Sequence, residues 1–189
     1  MILDLSEDGK FVSISAFRAT PLTVPALVLK DLRKAFPSAE IQFFDAAHIA
    51  GKEHLEIAAI NALHAFRTGI GISRSLAMET LLYASAQRQI DAAIAKLGVT
   101  QESKIVAFLA FSETEDDAMA LADRMAQFVG AELDDRLLDE WSDEKAKKIM
   151  ALYEVTSVEL EAIRLPGQQV DKAVKKAVAE RVALLSTRT

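Results

Sequence analysis

Apolar positions along the chain follow two periods. Residues 11–17, "FVSISAF", alternate apolar and small polar side chains, which predicts a half-buried strand. Residues 40–45, "EIQFFD", predict a second strand. Residues 104–111, "KIVAFLAF", are apolar almost without a break, as expected of a central strand covered on both faces. Between these stretches the helical period takes over. A helix is predicted from Pro25 to Phe36, where Pro37-Ser38 breaks it. Another spans residues 52–67, with Leu55, Ala59, Ala62, Leu63 and Phe66 on one stripe. After the loop "TGIGI" at 68–72, Ser73 or Ser75 can cap a helix running to about Gln87. Residues 88–97 continue as a helix predicted to bury Ile90, Ile94 and Leu97 and to stop at Gly98.

Beyond the third strand, Ser112 and Thr114 each begin an S/T-x-x-acid pattern that opens a helix to about Val129. An acidic connector at 130–140 leads to an amphipathic helix over 143–153. A capping box at 156–159 starts a short helix to about Ile163, and Pro166-Gly167 makes a turn. Residues 168–185 predict a final helix, whose "RVALL" is either its end or a short edge strand. There is no internal repeat. Strands separated by helices, with several helices consecutive in the middle, predict an α/β or α+β layer: a small mixed or antiparallel sheet covered by helices, in one domain spanning residues 1–189.

Composition narrows the function classes. With 189 residues, 51% of them hydrophobic, the chain can bury a core without disulfides or metal. It has no cysteine, so thiol nucleophiles and zinc-thiolate sites are excluded. The start "MILDLSEDGK" lacks the basic and apolar regions of a signal peptide, and the longest apolar runs are of strand length. The expectation is a cytoplasmic protein with no membrane contact. The net charge of −6 is uneven: residues 1–100 are neutral, and the whole deficit lies in residues 101–189. Glu113 to Glu144 holds twelve acids against Arg124 and Arg136, which reads as a solvated acidic face that a polyanion avoids.

Catalytic patterns are missing. The sequence has no Gly-rich phosphate loop, no H-E-x-x-H and no G-x-S-x-G. His54 and His64 are ten residues apart, unlike a metal pair on one helix face. Glu53 and Glu56 share a face, but exposed helix acids are the commoner case. The expectation is a protein that is not an enzyme and carries no metal or cofactor.

What remains is residues 71–90, "GISRSLAMETLLYASAQRQI", an apolar helix with polar clusters at both ends. Around it stand Lys52, His54, Arg67, Ser73, Arg74, Ser75, Arg88 and Gln89. Unbonded N–H groups at the helix start, with Arg74 beside them, suit a phosphate. Arg88 and Gln89 suit phosphates or base edges. Each residue also has a plain structural reading: a serine as an N-cap only, Arg88 paired with Asp91.

The segment 45–99 resembles a known family. Asp45-Ala46, the "AGKEHL" box at 50–55, Asn61-Ala62, "SRSL" at 73–76, Glu79, "LLYAS" at 81–85 and "RQI" at 88–90 stand in the order and spacing of the small KEOPS-complex subunit, the PRPK-binding-protein family. The flanks match only in their pattern of strands and helices, and the acidic stretch is longer than the family's. The resemblance implies a non-catalytic subunit that docks on a PRPK-type kinase or ATPase subunit. It also implies recruitment of transfer RNA by its single-stranded 3′ CCA end for threonylcarbamoyladenosine modification. Carried onto this chain, Lys52, Arg74 and Arg88 would contact phosphates, and His54, Ser73, Ser75 and Gln89 would bond bases or sugars. Leu81 and Leu82 would contribute to partner binding, with at least one of them in the core. Glu79 would be a structural acid bonded to a neighbouring loop. A near-neutral binding region predicts weak RNA affinity and a shallow salt slope for the isolated chain. Two other readings remain: an allosteric protein regulator of the kinase subunit without RNA contact, and a small-molecule enzyme of unrecognised type.

Overall fold

A computed structural model of the protein describes residues 1–19 and 25–187. Four strands, β1 (Ile2–Leu5), β2 (Lys10–Arg18), β3 (Glu40–Asp45) and β4 (Ile105–Ser112), form one sheet in the order β1-β2-β4-β3. All three pairings are antiparallel. The helices are α1 (Pro25–Ala35), α2 (Lys52–Thr68), α3 (Leu76–Ser85), α4 (Ile90–Leu97), α5 (Glu115–Val129), α6 (Asp143–Leu152), α7 (Ser157–Ile163) and α8 (Val170–Ala183). The architecture is α+β. "RVALL" completes α8 and passes into a 3-10 turn over 184–187, so it adds no strand. None of the described helices is long and apolar enough to cross a membrane.

β4 is central, and its apolar run has a two-sided cause. Ala107, Leu109 and Phe111 enter the larger core, which α2, α3 and α8 fill with Leu55, Leu82 and Val178. Val106, Phe108 and Ala110 enter a second core with Leu32 of α1 and Leu121 and Met125 of α5. The expectation of a half-buried β2 is corrected by the same arrangement. Residues 12–17 are buried on both faces, because α5 packs against β2 and reaches Ser13. Small side chains permit that approach, and the Ser13 hydroxyl is satisfied by donating to the Ala118 carbonyl at 2.8 Å.

α3 is the most enclosed helix. Of its ten residues only Met78 is not buried. A helix that is apolar nearly all round has no solvent face to give a partner. Leu81 and Leu82 are 1% and 0% exposed, so the expected partner-binding role is corrected: both are core.

α4 departs from its predicted face. Ala93 and Leu97 point inward, while Ile90 and Ile94 are 43% and 47% exposed. Both pairs are spaced i, i+4; Ala93 and Leu97 join the larger core, and α4 packs against α3.

The acidic stretch is also more than a solvated face. Glu115, Asp116 and Asp117 occupy the first turn of α5, and Asp143 and Glu144 that of α6, where the helix dipole favours negative charge. Lys10–Glu113, Arg18–Glu140 and Lys175–Asp139 ion pairs tie other acids to neighbouring elements.

Candidate functional site

α2 and α3 lie against one another, and their two junctions differ in character. At the first, the opening turn of α2 meets the last turn of α3. The Ala50 N–H donates to His54 Nδ1 at 3.1 Å, so that nitrogen carries no proton. His54 Nε2–H then donates to the Ala84 carbonyl at 2.8 Å. Tyr153 donates to the same carbonyl at 2.9 Å, and Lys96 Nζ donates to the Ser85 carbonyl at 2.7 Å while lying 3.8 Å from the Tyr153 ring centre. Three side chains thus satisfy the carbonyls that a helix end leaves without partners. The chain turns there through Ala86 in the left-handed region, and Arg88 and Gln89 follow, exposed.

His54 is therefore a structural group. It is 3% exposed and both ring nitrogens are engaged within the protein, which corrects its expected role in bonding RNA. Burial lowers its pKa from 6.5 to about 4, and the Lys96 and Lys145 charges push the same way. Lys145 itself is lowered to about 8 by burial and by Lys175. Burial raises the Tyr153 pKa.

Gly51 and Lys52 begin α2 beside Asp139, which belongs to the acidic connector. Asp139 Oδ1 lies 3.4 Å from the Lys52 amide and 3.1 Å from Lys175 Nζ. The Lys52 side chain points to solvent.

The second junction is the loop from α2 to the start of α3, about 15 Å away along a ten-residue helix. Here Ser75 is the N-cap: its hydroxyl accepts from the Met78 amide at 3.3 Å and donates to Glu40 Oε2 at 2.9 Å. Glu40 Oε2 also accepts from the Ala77 amide at 3.1 Å. Glu79 is wholly buried and accepts from the Ile72 and Ser73 amides at 3.1 and 2.6 Å. The Ser73 hydroxyl accepts from the Ser75 amide at 3.2 Å.

Two expectations change. The N–H groups of Ala77 and Met78, expected to await a phosphate, already bond a carboxylate and a hydroxyl of the protein. With Glu40 and Glu79 at that spot, a further anion would meet like charge. Ser75 uses its hydroxyl both as donor and as acceptor, so it acts as a cap. Glu79 bonds the preceding loop in the way expected of it.

Of the seven residues expected to touch RNA, four are exposed and make no side-chain hydrogen bond or ion pair among the described residues: Lys52, Arg74, Arg88 and Gln89. The structure places Lys52, Arg88 and Gln89 at one end of the α2–α3 pair and Arg74 with Ser73 at the other. They flank the two ends of a buried helix and do not share one mouth. Sequence reasoning missed Ile90 and Ile94, an exposed apolar pair directly after Arg88-Gln89. It also missed Glu40, for which no local spacing gives a signal.

An open antiparallel sheet with helices on both faces defines an α+β protein, with solvent-facing cations at its helix junctions. A family model described as kinase binding protein CGI-121 matches residues 25–186. The chain belongs to that family, which is the family of the KEOPS small subunit. A search of curated proteins finds no match.

Proposed function

We propose that this protein is the non-catalytic, kinase-binding subunit of a KEOPS-type complex and that it helps recruit transfer RNA through the single-stranded 3′ CCA end for threonylcarbamoyladenosine modification. Family membership supports the kinase partner. The observation that carries the RNA reading is the set of exposed side chains that have no partner among the described residues, Lys52, Arg74, Arg88 and Gln89, projecting from a frame of buried and partly buried bonds. Single-stranded RNA is held by contacts to its backbone together with contacts to base faces and edges. Arg88 supplies charge, Gln89 hydrogen bonds, and Ile90 with Ile94 an apolar surface for rings. Binding by the isolated chain is weak because few cations stand there, and it tightens when partner subunits add a second contact site.

A second reading, a regulator of the kinase subunit without RNA contact, is favoured by the carboxylates of Glu40 and Glu79 at the start of α3. The two readings separate on transfer RNA with and without its CCA end, titrated with the protein bound to its kinase subunit. The RNA reading predicts a strong loss of affinity on trimming. Equal binding of both RNAs favours the regulator.

A further inference from the structure

Arg74 stands in the middle of a segment whose backbone is tied down on both sides. Before it, the amides of Ile72 and Ser73 donate to the two oxygens of Glu79 at 3.1 and 2.6 Å. After it, the Ser75 amide donates to the Ser73 hydroxyl, and the Ser75 hydroxyl and Ala77 amide share one oxygen of Glu40 at 2.9 and 3.1 Å. These two acids come from different places: Glu79 from the first turn of α3 itself, Glu40 from the sheet edge at the start of β3. The guanidinium between them is exposed and makes no side-chain bond among the described residues.

Burying Glu79 needs a physical return. A carboxylate wholly removed from water is costly unless it is paired and hydrogen-bonded. Filling the core needs no acid at this position, since Leu81 and Leu82 already do so. What the acid accomplishes is bonding two consecutive loop amides, which a hydrocarbon side chain cannot do. Gly71 sits against it: a Cβ there would stand 3.5 Å from the Glu79 carboxyl carbon, so the loop wraps the carboxylate closely. Charge-assisted bonds of this kind are short and directional.

We propose that Glu79, assisted by Glu40, is a positioning residue: it fixes the 72–75 backbone so that the Arg74 side chain leaves the loop from one place and in one direction, toward the RNA. The inference rests on the RNA reading above. A loop backbone already held in place loses less conformational freedom when the side chain it carries is bound, so pre-organisation appears directly as affinity. The same carboxylates keep phosphate off the α3 amides, which leaves the guanidinium as the contact at this end.

The test is a double-mutant cycle on the full chain in complex with its kinase subunit, read as affinity for a transfer RNA with an intact 3′ end. The variants are Glu79→Gln, Arg74→Ala and their combination. Glutamine keeps the shape but offers one acceptor where two amides donate. The proposal predicts that Glu79→Gln and Arg74→Ala each weaken RNA binding about tenfold, and that the combination is no weaker than Arg74→Ala alone. Kinase-subunit affinity stays unchanged in all three. Independent, multiplying losses overturn the proposal, because a purely structural role acts whether or not Arg74 is present. An Arg74→Ala effect without a Glu79→Gln effect overturns it while leaving the RNA reading intact. No Arg74→Ala effect removes both at this end of the helix. If Glu79→Gln does not fold, Glu40→Ala, at the partly buried sheet edge, enters the same cycle with the same expectations, since glutamine there could still accept both bonds on its one oxygen.

Discussion

His54 and Tyr153 donate to one acceptor, the Ala84 carbonyl, at 2.8 and 2.9 Å, and their rings meet edge to face at 5.5 Å. Two residues ninety-nine apart thereby close the end of α3. Tyr153→Phe removes one of two donors to a carbonyl that stays bonded, so the expected loss is about 1 kcal/mol of folding stability. Urea denaturation of both proteins at neutral pH measures it. The ring remains under Lys96, so the loss is that of the hydroxyl alone.

The same cluster makes the protein sensitive to acid. The His54 pKa is about 4 in the folded chain against an ordinary 6.5. The unfolded chain therefore takes up the proton first as pH falls. The stability that comes from keeping this histidine neutral is complete above 6.5 and is lost as pH drops toward 4. The full effect is about 3 kcal/mol. Urea midpoints at pH 7.0, 5.5 and 4.5, read against about 1.4 kcal/mol per decade of equilibrium constant, follow it. His54→Gln is expected to be less stable at neutral pH and to show a flatter profile across that window.

Gly51 starts α2 at φ +109°, a region side chains disfavour. A Cβ there would stand 2.7 Å from Asp139 Oδ1 and 3.1 Å from Lys175 Nζ. Gly51→Ala is expected to destabilise the fold by about 2 kcal/mol or more through backbone strain and displacement of Asp139. Thermal denaturation alongside Asp139→Ala separates the two parts: the strain persists when the carboxylate is gone.

Leu82 is wholly buried at the meeting of α3 with the sheet. Leu82→Ala is expected to cost about 3 kcal/mol, as core cavities usually do. Because Leu82 reaches no surface, kinase-subunit affinity per folded molecule stays unchanged. Calorimetric titration of the folded variant checks this, and a drop in affinity without a drop in stability would speak against a core role.

Most of the fold was legible in the sequence because its elements carry strong periods and local caps. Ser75, Thr114, Ser142 and Thr156 each accept from the amide three residues on, and each precedes a helix. β1 was not legible. It is four residues long, and what makes it a strand is pairing with β2 across the turn at Gly9. Hydrophobicity alone points Ile90 and Ile94 inward, whereas Ala93 and Leu97 are the pair that joins the larger core. At the candidate site, exposure could be judged for Lys52, Arg74 and Arg88 but not for His54, whose bond to Ala84 spans thirty residues. Glu40 reaches Ser75 across thirty-five residues, so no spacing rule points to it. That one long-range carboxylate, with the Ser75 hydroxyl, turns an expected anion site into an occupied one.

The measurement that bears most directly on the account is a titration of an intact transfer RNA with the chain and with its Arg74→Glu, Arg88→Glu variant, at two salt concentrations. Both positions are exposed and unpaired among the described residues, so the thermal midpoint should hold. Affinity is expected to fall by an order of magnitude or more, and the salt slope to shrink by about 0.7 for each phosphate no longer neutralised. Unchanged affinity and slope in a folded variant would contradict it.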